Sequence, residues 1–415
     1  MREQSNREAL ERIFAANPVW IDIQPAKEIV PGLGDRTILH SGPPIAWSRL
    51  QGGQRQAVIG ACLYEGLAST GEEAEEKIAR GEIKVEPCQD YHVIGSLTGV
   101  YYPSMPVFVV RNEAHGNLSF CSIYESPERR RLTYGVYDEG VRKGLDFVNE
   151  VIAPILQKAV RKLGGVPLKP IMARALRMGD ELHSRNTAAT MLFLTEIMTT
   201  LLELSVEDRD RVLATINFIK KSELFFLHLG MAASKATADA IYDIEQCSIV
   251  TAIALNGEEI GIRVSGLGNE WFTAPIPPAE AKLFDGIKPG DLAYMGGESL
   301  INETMGLGGL AQASAFTLQA YNGGTADKMI ENNRLMYEIT LADHPDFRIP
   351  YFGFRGVPTG IDIFLVAWKR IAPFINMGMS HKDGGQAGAG ILRVPLEIFD
   401  QAVEAYKKRY GGERC

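Results

Sequence analysis

Five short stretches hold the residues whose types and spacing could do chemistry. The octad GDELHSRN, residues 179–186, sets Asp180, Glu181, His183, Arg185 and Asn186 directly ahead of the apolar run TAATMLFLTEIM. On a helical track Gly179, His183 and Asn186 fall near one face, and Glu181 and Arg185 lie a turn apart on another. Two readings stay open. The octad is a capped, solvated helix start, or it is an anion site in which helix-start N–H groups, His183 and Arg185 hold a carboxylate or phosphate. A metal site from Asp180, Glu181 and His183 is the weaker reading, because HExxH is absent and the other histidines are distant in sequence. The stretch INMGMSHKDGGQAGAG, 375–390, places His381 and Lys382 just before Gly384, Gly385, Gly388 and Gly390. Such glycines let backbone N–H groups form a nest for an anion or a developing oxyanion, unless the segment is an ordinary flexible loop.

Three further stretches belong with these. Arg263 precedes SGLGNEWFTAP, which carries Ser265, Gly266 and Gly268. GGESLINETMGLGG, 296–309, holds Glu298 and Glu303 among glycines that include Gly308 and Gly309. Its glutamates suit acid–base or metal-linked work, or equally the capping of backbone donors. His40 ends an apolar strand in HSGPP, with Cys62 and Glu65 in GACLYEG as possible neighbours. No sequence feature near Cys62 lowers its pKa, so a buried, inert thiol is expected.

Elements must position these residues. Residues 6–16 read as a helix, 19–26 and 37–44 as strands, and 56–66 as a strand entering a glycine-rich bend or helix start. Residues 70–80 read as a helix with Thr70 as N-cap and Glu73 at the capping-box position. Residues 83–88, 106–112 and 117–125 read as strands. A long helical segment, 138–163, is expected to kink at Pro154. Helical runs follow at 171–178, 186–204 and 207–245, with Ser205 capping the last and Asp208 at its N3. The run 249–266 is a hairpin about Asn256-Gly257, extended by 270–277. A helix-like stretch to Tyr321, a charged helix 325–342, strands among glycine loops over 352–395 and a helix 396–409 close the chain. The fold class is α+β and multidomain. The expected division is an N-terminal α/β-like domain (1–137), a helical domain (138–247) and a glycine-rich α+β domain (248–415).

Composition sets limits. The 415 residues carry 46% apolar and 23% charged side chains, which excludes a disordered chain. Lys+Arg of 43 against Asp+Glu of 51 gives −8, so nucleic-acid binding driven by overall charge is excluded. Of 42 glycines, 21 fall between Gly257 and Gly390, whereas 166–256 holds only Gly179 and Gly230. Five cysteines without a C-x-x-C pair argue against a disulfide scaffold or a cysteine zinc site. The charged N-terminus has no signal-peptide core, and the charge-free stretch 304–326 is too broken for a membrane span. A cytoplasmic protein without nucleic-acid or membrane partners is expected. Neither a G-x-G-x-x-G opening a helix nor a Walker A sequence occurs.

Over essentially its full length the chain resembles a bacterial family long described as a domain of unknown function, which includes the large subunit of oxamate carbamoyltransferase in anaerobic allantoin degradation. VWIDIQPA (19–26), LHSGPP (39–44), GACLYEG (60–66), EPC (86–88), GDELHSRN, SIVTAIALNG (248–257), GIRVSGLGNEWFTAP (261–275), ESLINETMGLGG and INMGMSHKDGGQAGAG carry the likeness. The resemblance implies transfer of a carbamoyl group between oxalurate and phosphate, giving oxamate and carbamoyl phosphate. It also implies two partners, a subunit like the acyl-CoA synthetases and a smaller third subunit. No metal and no cofactor is assigned; phosphate or carbamoyl phosphate enters as substrate, and a homo-oligomer stays open. The resemblance assigns no catalytic residues, so roles follow from the chemistry. His183 or His381 shuttles the proton. Arg185 and Lys382 hold anions, with Glu303 as a catalytic carboxylate. The loops 265–268, 306–309 and 384–390 present backbone donors. Asn186, Arg263 and His40 complete the expected binding set. The rival readings are a noncatalytic structural or regulatory subunit supporting the synthetase-like partner, and a hydrolase of a ureido acid, which would turn over without phosphate.

Overall fold

The structure, a computed structural model, describes residues 1–293 and 296–411; Cys415 lies outside them. It is an α+β protein. Its first sheet has the strand order Leu118–Ser122, Pro106–Asn112, Pro18–Pro25, Val166–Pro167, all antiparallel. The strand PVFVVRN is buried on both faces. Period two sends Val107 and Val109 to one apolar cluster, with Ile38, Leu39, Val58 and Ile78. Phe108 and Val110 go to another, with Trp20, Phe193, Phe225 and Phe226. Helices Gly52–Tyr64 and Gly71–Ala79 and the parallel pair Thr37–His40 and Lys84–Pro87 supply the first cluster. Helices Arg2–Ala15, Ala153–Leu163, Leu168–Arg177, Thr187–Leu204 and Phe225–Asp239 supply the second. The last of these is buried from Phe225 to Ala238, as a helix apolar on every side must be. Thr187–Leu204 is apolar and long enough to cross a bilayer by length and composition. Here it packs Phe193, Ile197 and Leu201 into the same core.

The C-terminal part builds a second sheet, Gly296–Gly297, Val250–Asn256, Glu259–Val264, Phe272–Pro275. A third runs Glu280–Leu283, Gln386–Arg393, Phe374–His381, Leu292–Ala293. Their inner faces and helices Ile363–Lys369 and Leu396–Tyr410 form a third cluster around Ile253, Ile262, Ile375 and Phe399. The second core also takes Ile249, Ile301, Met305, Leu307 and Val357 from this end of the chain. Packing therefore joins what sequence order separates.

Several elements differ from the sequence reading, each for a local reason. Residues 56–64 belong to the helix Gly52–Tyr64, which Glu65 caps, and not to a strand. Positions 57–62 are all buried, so no one-sided period marks the helix. Gly60 is there because a Cβ would meet Leu132 at 2.7 Å and Tyr137 at 2.8 Å. The segment 138–163 is two helices, Glu139–Phe147 and Ala153–Leu163, joined by a π turn, Val148–Ile152. Pro154 sits in the first turn of the second, where its missing N–H does least harm. Ser205 closes Thr187–Leu204 and donates to the Leu202 carbonyl at 2.6 Å, while Asp208 takes the N-cap position. The charged helix stops at Met336, and Thr340–Ile349 pairs with Arg355–Ile361 as a hairpin. The segment 375–390 is also a hairpin, not a glycine loop. Gly388 and Gly390 lie within its second strand, where a Cβ would come within 2.4 Å of the neighbouring strand's carbonyls.

Candidate functional site

The octad 179–186 is a loop between helices Leu168–Arg177 and Thr187–Leu204. Gly179, His183 and Asn186 therefore share no helix face, contrary to the sequence reading. Carboxylates shape this loop. Asp180 Oδ2 accepts from the Ala189 N–H at 2.8 Å and so caps the following helix from within the loop. Glu181 is fully buried and accepts from the His183 N–H at 2.5 Å and the Arg185 N–H at 2.8 Å. Leu182 stands at φ +69°, a strained value for a branched residue, and is fully buried. Its carbonyl accepts from Asn302 Nδ2 at 2.7 Å, and the Glu181 carbonyl accepts from the Gly308 N–H at 2.8 Å. The loop is thus stitched to 298–309, more than a hundred residues away.

That stitching sets His183 between two side chains. Its Nδ1 lies 2.7 and 3.0 Å from the two oxygens of Glu303, and its Nε2 lies 2.8 Å from Ser299 Oγ. Glu303 is completely buried and also accepts from the Gly309 N–H at 2.9 Å and the Asn376 N–H at 3.0 Å. Gly308 is needed beside it: φ is +56°, and a Cβ would stand 2.3 Å from Glu303 Oε1. A carboxylate at Nδ1 holds the proton there and leaves the Nε2 lone pair toward the hydroxyl. Burial works against the imidazolium, but the Glu303 charge and hydrogen bond, with Glu181 behind, outweigh it and leave the His183 pKa above its ordinary value. Burial also raises Glu181 to about 8 and Asp180 to about 6. His183 and Glu303 are shut from solvent, whereas Ser299 is half-buried. Glu303–His183–Ser299 is the arrangement of an activated nucleophile or a water-activating base, with the half-buried serine at its end.

Ser184, Arg185 and Asn186 line a cleft of about 420 Å³ that also takes in Arg129, Arg131, Tyr321 and Gln386. Arg131 is buried between the rings of Tyr124 and Tyr134, at 4.8 and 4.7 Å. Arg185 pairs with Asp180 at 3.4 Å and donates to the Gly179 carbonyl at 3.1 Å. Asn376 is completely buried, and neither of its amide atoms has a hydrogen-bond partner among the described residues. It shares a strand face with Gly378, where a Cβ would lie within 4 Å of Tyr134 Oη and Gln386 Nε2. Asn186 Oδ1 is likewise buried without a partner. The cleft's arginines suit a small anionic molecule. Among the described residues no group of three or more His, Cys, Asp or Glu side chains is placed to hold a metal ion.

Of the residues singled out in the sequence, His183, Arg185, Asn186, Glu303, Gly308 and Gly309 come together. The amides of Gly306, Gly308 and Gly309 are committed to protein acceptors, so the loop 306–309 supports Glu303 instead of offering free donors. Ser265, Gly266 and Gly268 lie elsewhere, with their N–H groups bonded to main-chain carbonyls. Arg263 pairs with Asp90 and stacks 4.6 Å from Trp271. His40 is buried with Nδ1 on the Ser41 carbonyl at 2.8 Å, and burial lowers its pKa to about 4. His381 ends the first strand of the hairpin and Lys382 opens its turn, where it pairs with Asp291 at 2.9 Å. The Gly384 and Gly385 N–H groups donate to the His381 and Tyr134 carbonyls, so they form no nest. Cys62 is buried and its thiol is pushed up to about 12. The sequence reading missed Ser299, Arg129, Arg131 and Asn376. The run ERRRL and the Ser299–Glu303 spacing of four were the available signals.

Residues 83–299 match the family model of the oxamate carbamoyltransferase subunit AllG. The chain is 36% identical to the oxamate carbamoyltransferase subunit AllG of Escherichia coli K12, over 98% of both chains. It is 40% identical to the uncharacterized protein YahG of the same organism, over 98% of this chain and 86% of that one. A crystal structure of a conserved protein of unknown function from Enterococcus faecalis V583 superposes with a TM-score of 0.95 at 34% identity, covering 98% of each chain.

Proposed function

Since the chain belongs to the AllG family of oxamate carbamoyltransferase subunits, we propose that it contributes the transfer centre of a carbamoyltransferase, moving a carbamoyl group between oxalurate and phosphate. One observation carries this reading. A histidine polarised by a buried carboxylate immediately precedes Ser184, Arg185 and Asn186, which line a cleft that also bears Arg129 and Arg131. The reaction needs a proton acceptor, cations for phosphate and for the oxamate carboxylate, and an enclosed space. His183 Nε2 moves the proton, Glu303 orients the ring, and the arginines hold the anions. A synthetase-like subunit and a smaller third subunit complete the working complex.

The test is reconstitution with both partners. His183→Ala should lower carbamoyl transfer by about 10²–10⁴-fold, and Arg185→Ala should raise KM for the anionic substrates. Folded variants with normal rates and affinities in the complete complex would remove the centre from this chain and leave it a supporting subunit. Equal turnover without phosphate would make the reaction a hydrolysis.

A further inference from the structure

We propose that Ser299 is the nucleophile that carries the carbamoyl group between the two half-reactions, as a carbamoyl ester on its Oγ. The inference rests on the transfer function proposed above and deepens it. Ser299 Oγ lies 2.8 Å from His183 Nε2, and His183 Nδ1 lies 2.7 Å from Glu303. Serine, imidazole and carboxylate so aligned are what a hydroxyl needs to lose its proton as it attacks. The pattern of burial supports a chemical role over a structural one. Enclosing a histidine–glutamate pair is weak as a source of stability, because desolvation consumes most of the attraction. Yet here both members are fully enclosed, and Ser299 at the end of the line is half-buried.

The chemistry balances without a further reactant. In the first half, the Ser299 proton passes to His183 Nε2 as Oγ bonds to the ureido carbonyl carbon of oxalurate. The carbon–nitrogen bond then breaks, and the leaving nitrogen takes that proton, releasing oxamate. In the second half, a phosphate oxygen attacks the carbamoyl carbon and gives its proton to His183 Nε2. The carbon–Oγ bond breaks, Ser299 recovers the proton, and carbamoyl phosphate departs. Nothing is oxidised or reduced.

Such an intermediate predicts partial exchange. The complete complex, given oxalurate and isotopically labelled oxamate but no phosphate, should move label into oxalurate. Quenched with acid after mixing with oxalurate, it should yield a carbamoyl adduct on the peptide containing Ser299. Ser299→Ala should abolish exchange, adduct and net transfer together, with an unchanged melting temperature. Ser299→Cys should restore exchange at a reduced rate through a thiocarbamate. Exchange persisting in Ser299→Ala at more than a tenth of the wild-type rate overturns the inference. So does wild-type transfer that proceeds only when both substrates are present and leaves no adduct; that result keeps the transfer function and makes the attack direct. A complete complex that transfers no carbamoyl group overturns the function and this inference together.

Discussion

His183 meets two carboxylates with separate tasks. Glu181 holds its main chain, and Glu303 holds its ring. Glu303 accepts three N–H donors, so Glu303→Gln replaces an acceptor with a donor facing one of them. The expected result is a fall in transfer rate of about 10²–10⁴-fold, from loss of the Nδ1–H tautomer, measured by steady-state kinetics of the reconstituted complex. The pH profile tests the same ring. His183 must be unprotonated at Nε2 to accept a proton, and its pKa lies above the ordinary histidine value. The acid limb of kcat/KM should therefore titrate above about pH 6.5. A limb with its midpoint near pH 5 would show that another group sets it.

At the scale of elements, buried carboxyls tie loops together. Glu298 accepts from the Gly42 N–H at 3.1 Å and the Gly95 N–H at 2.8 Å, joining segments more than two hundred residues away in sequence. Burial, opposed by those two bonds, leaves its pKa at about 7, and Glu125 is raised to about 7 for the same reason. Each raised group stays protonated in the folded chain at a pH where the unfolded chain has ionised it. Folding stability from these groups is thus present below about pH 4.5 and falls as the pH climbs through about 7. A loss of a few kcal/mol is expected from about pH 5 to pH 8, visible as a falling melting temperature, and Glu298→Gln should flatten part of that slope. An equally steep slope in the variant would remove Glu298 as a contributor. The 306–309 turn makes a second prediction. Gly308→Ala places a methyl against Glu303 and demands positive φ, so it should destabilise by more than about 1 kcal/mol in denaturant titration and disable transfer. Chain geometry, not chemistry at Gly308, is what it tests.

Over the whole molecule, one core draws on both ends of the chain. Trp20, Phe225, Ile301, Met305, Leu307 and Val357 share it. A fragment ending at residue 247 leaves that core without its last contributors and separates His183 from Glu303. It should fail to give a cooperative unfolding transition, whereas the full chain should. A sharp transition in the fragment would establish that residues 1–247 fold alone.

Local chemistry was readable from the residues. The Thr70 cap takes the Glu73 N–H at 3.1 Å, Asn256 bends its hairpin by accepting from Glu258 and Glu259, and PVFVVRN is a buried strand. The sequence also marked GDELHSRN and ESLINETMGLGG as polar anomalies in apolar or glycine-rich surroundings. It could not rank five such anomalies. Two of them meet around His183 and the main chain of a third reaches Glu303 at Asn376, while Arg263 pairs with Asp90 and Lys382 with Asp291, each within its own neighbourhood. Glycine density misled for a related reason. Gly309 and Gly388 are glycine because another group lies within 2.3 Å of where a Cβ would stand, and which group that is depends on contacts between distant segments. Residue type and spacing therefore determined the α+β class and the family likeness. Only the tertiary structure decided that Ser299, His183 and Glu303 form one line, because loops from separate parts of the chain are aligned by buried hydrogen bonds that leave no periodic trace in sequence.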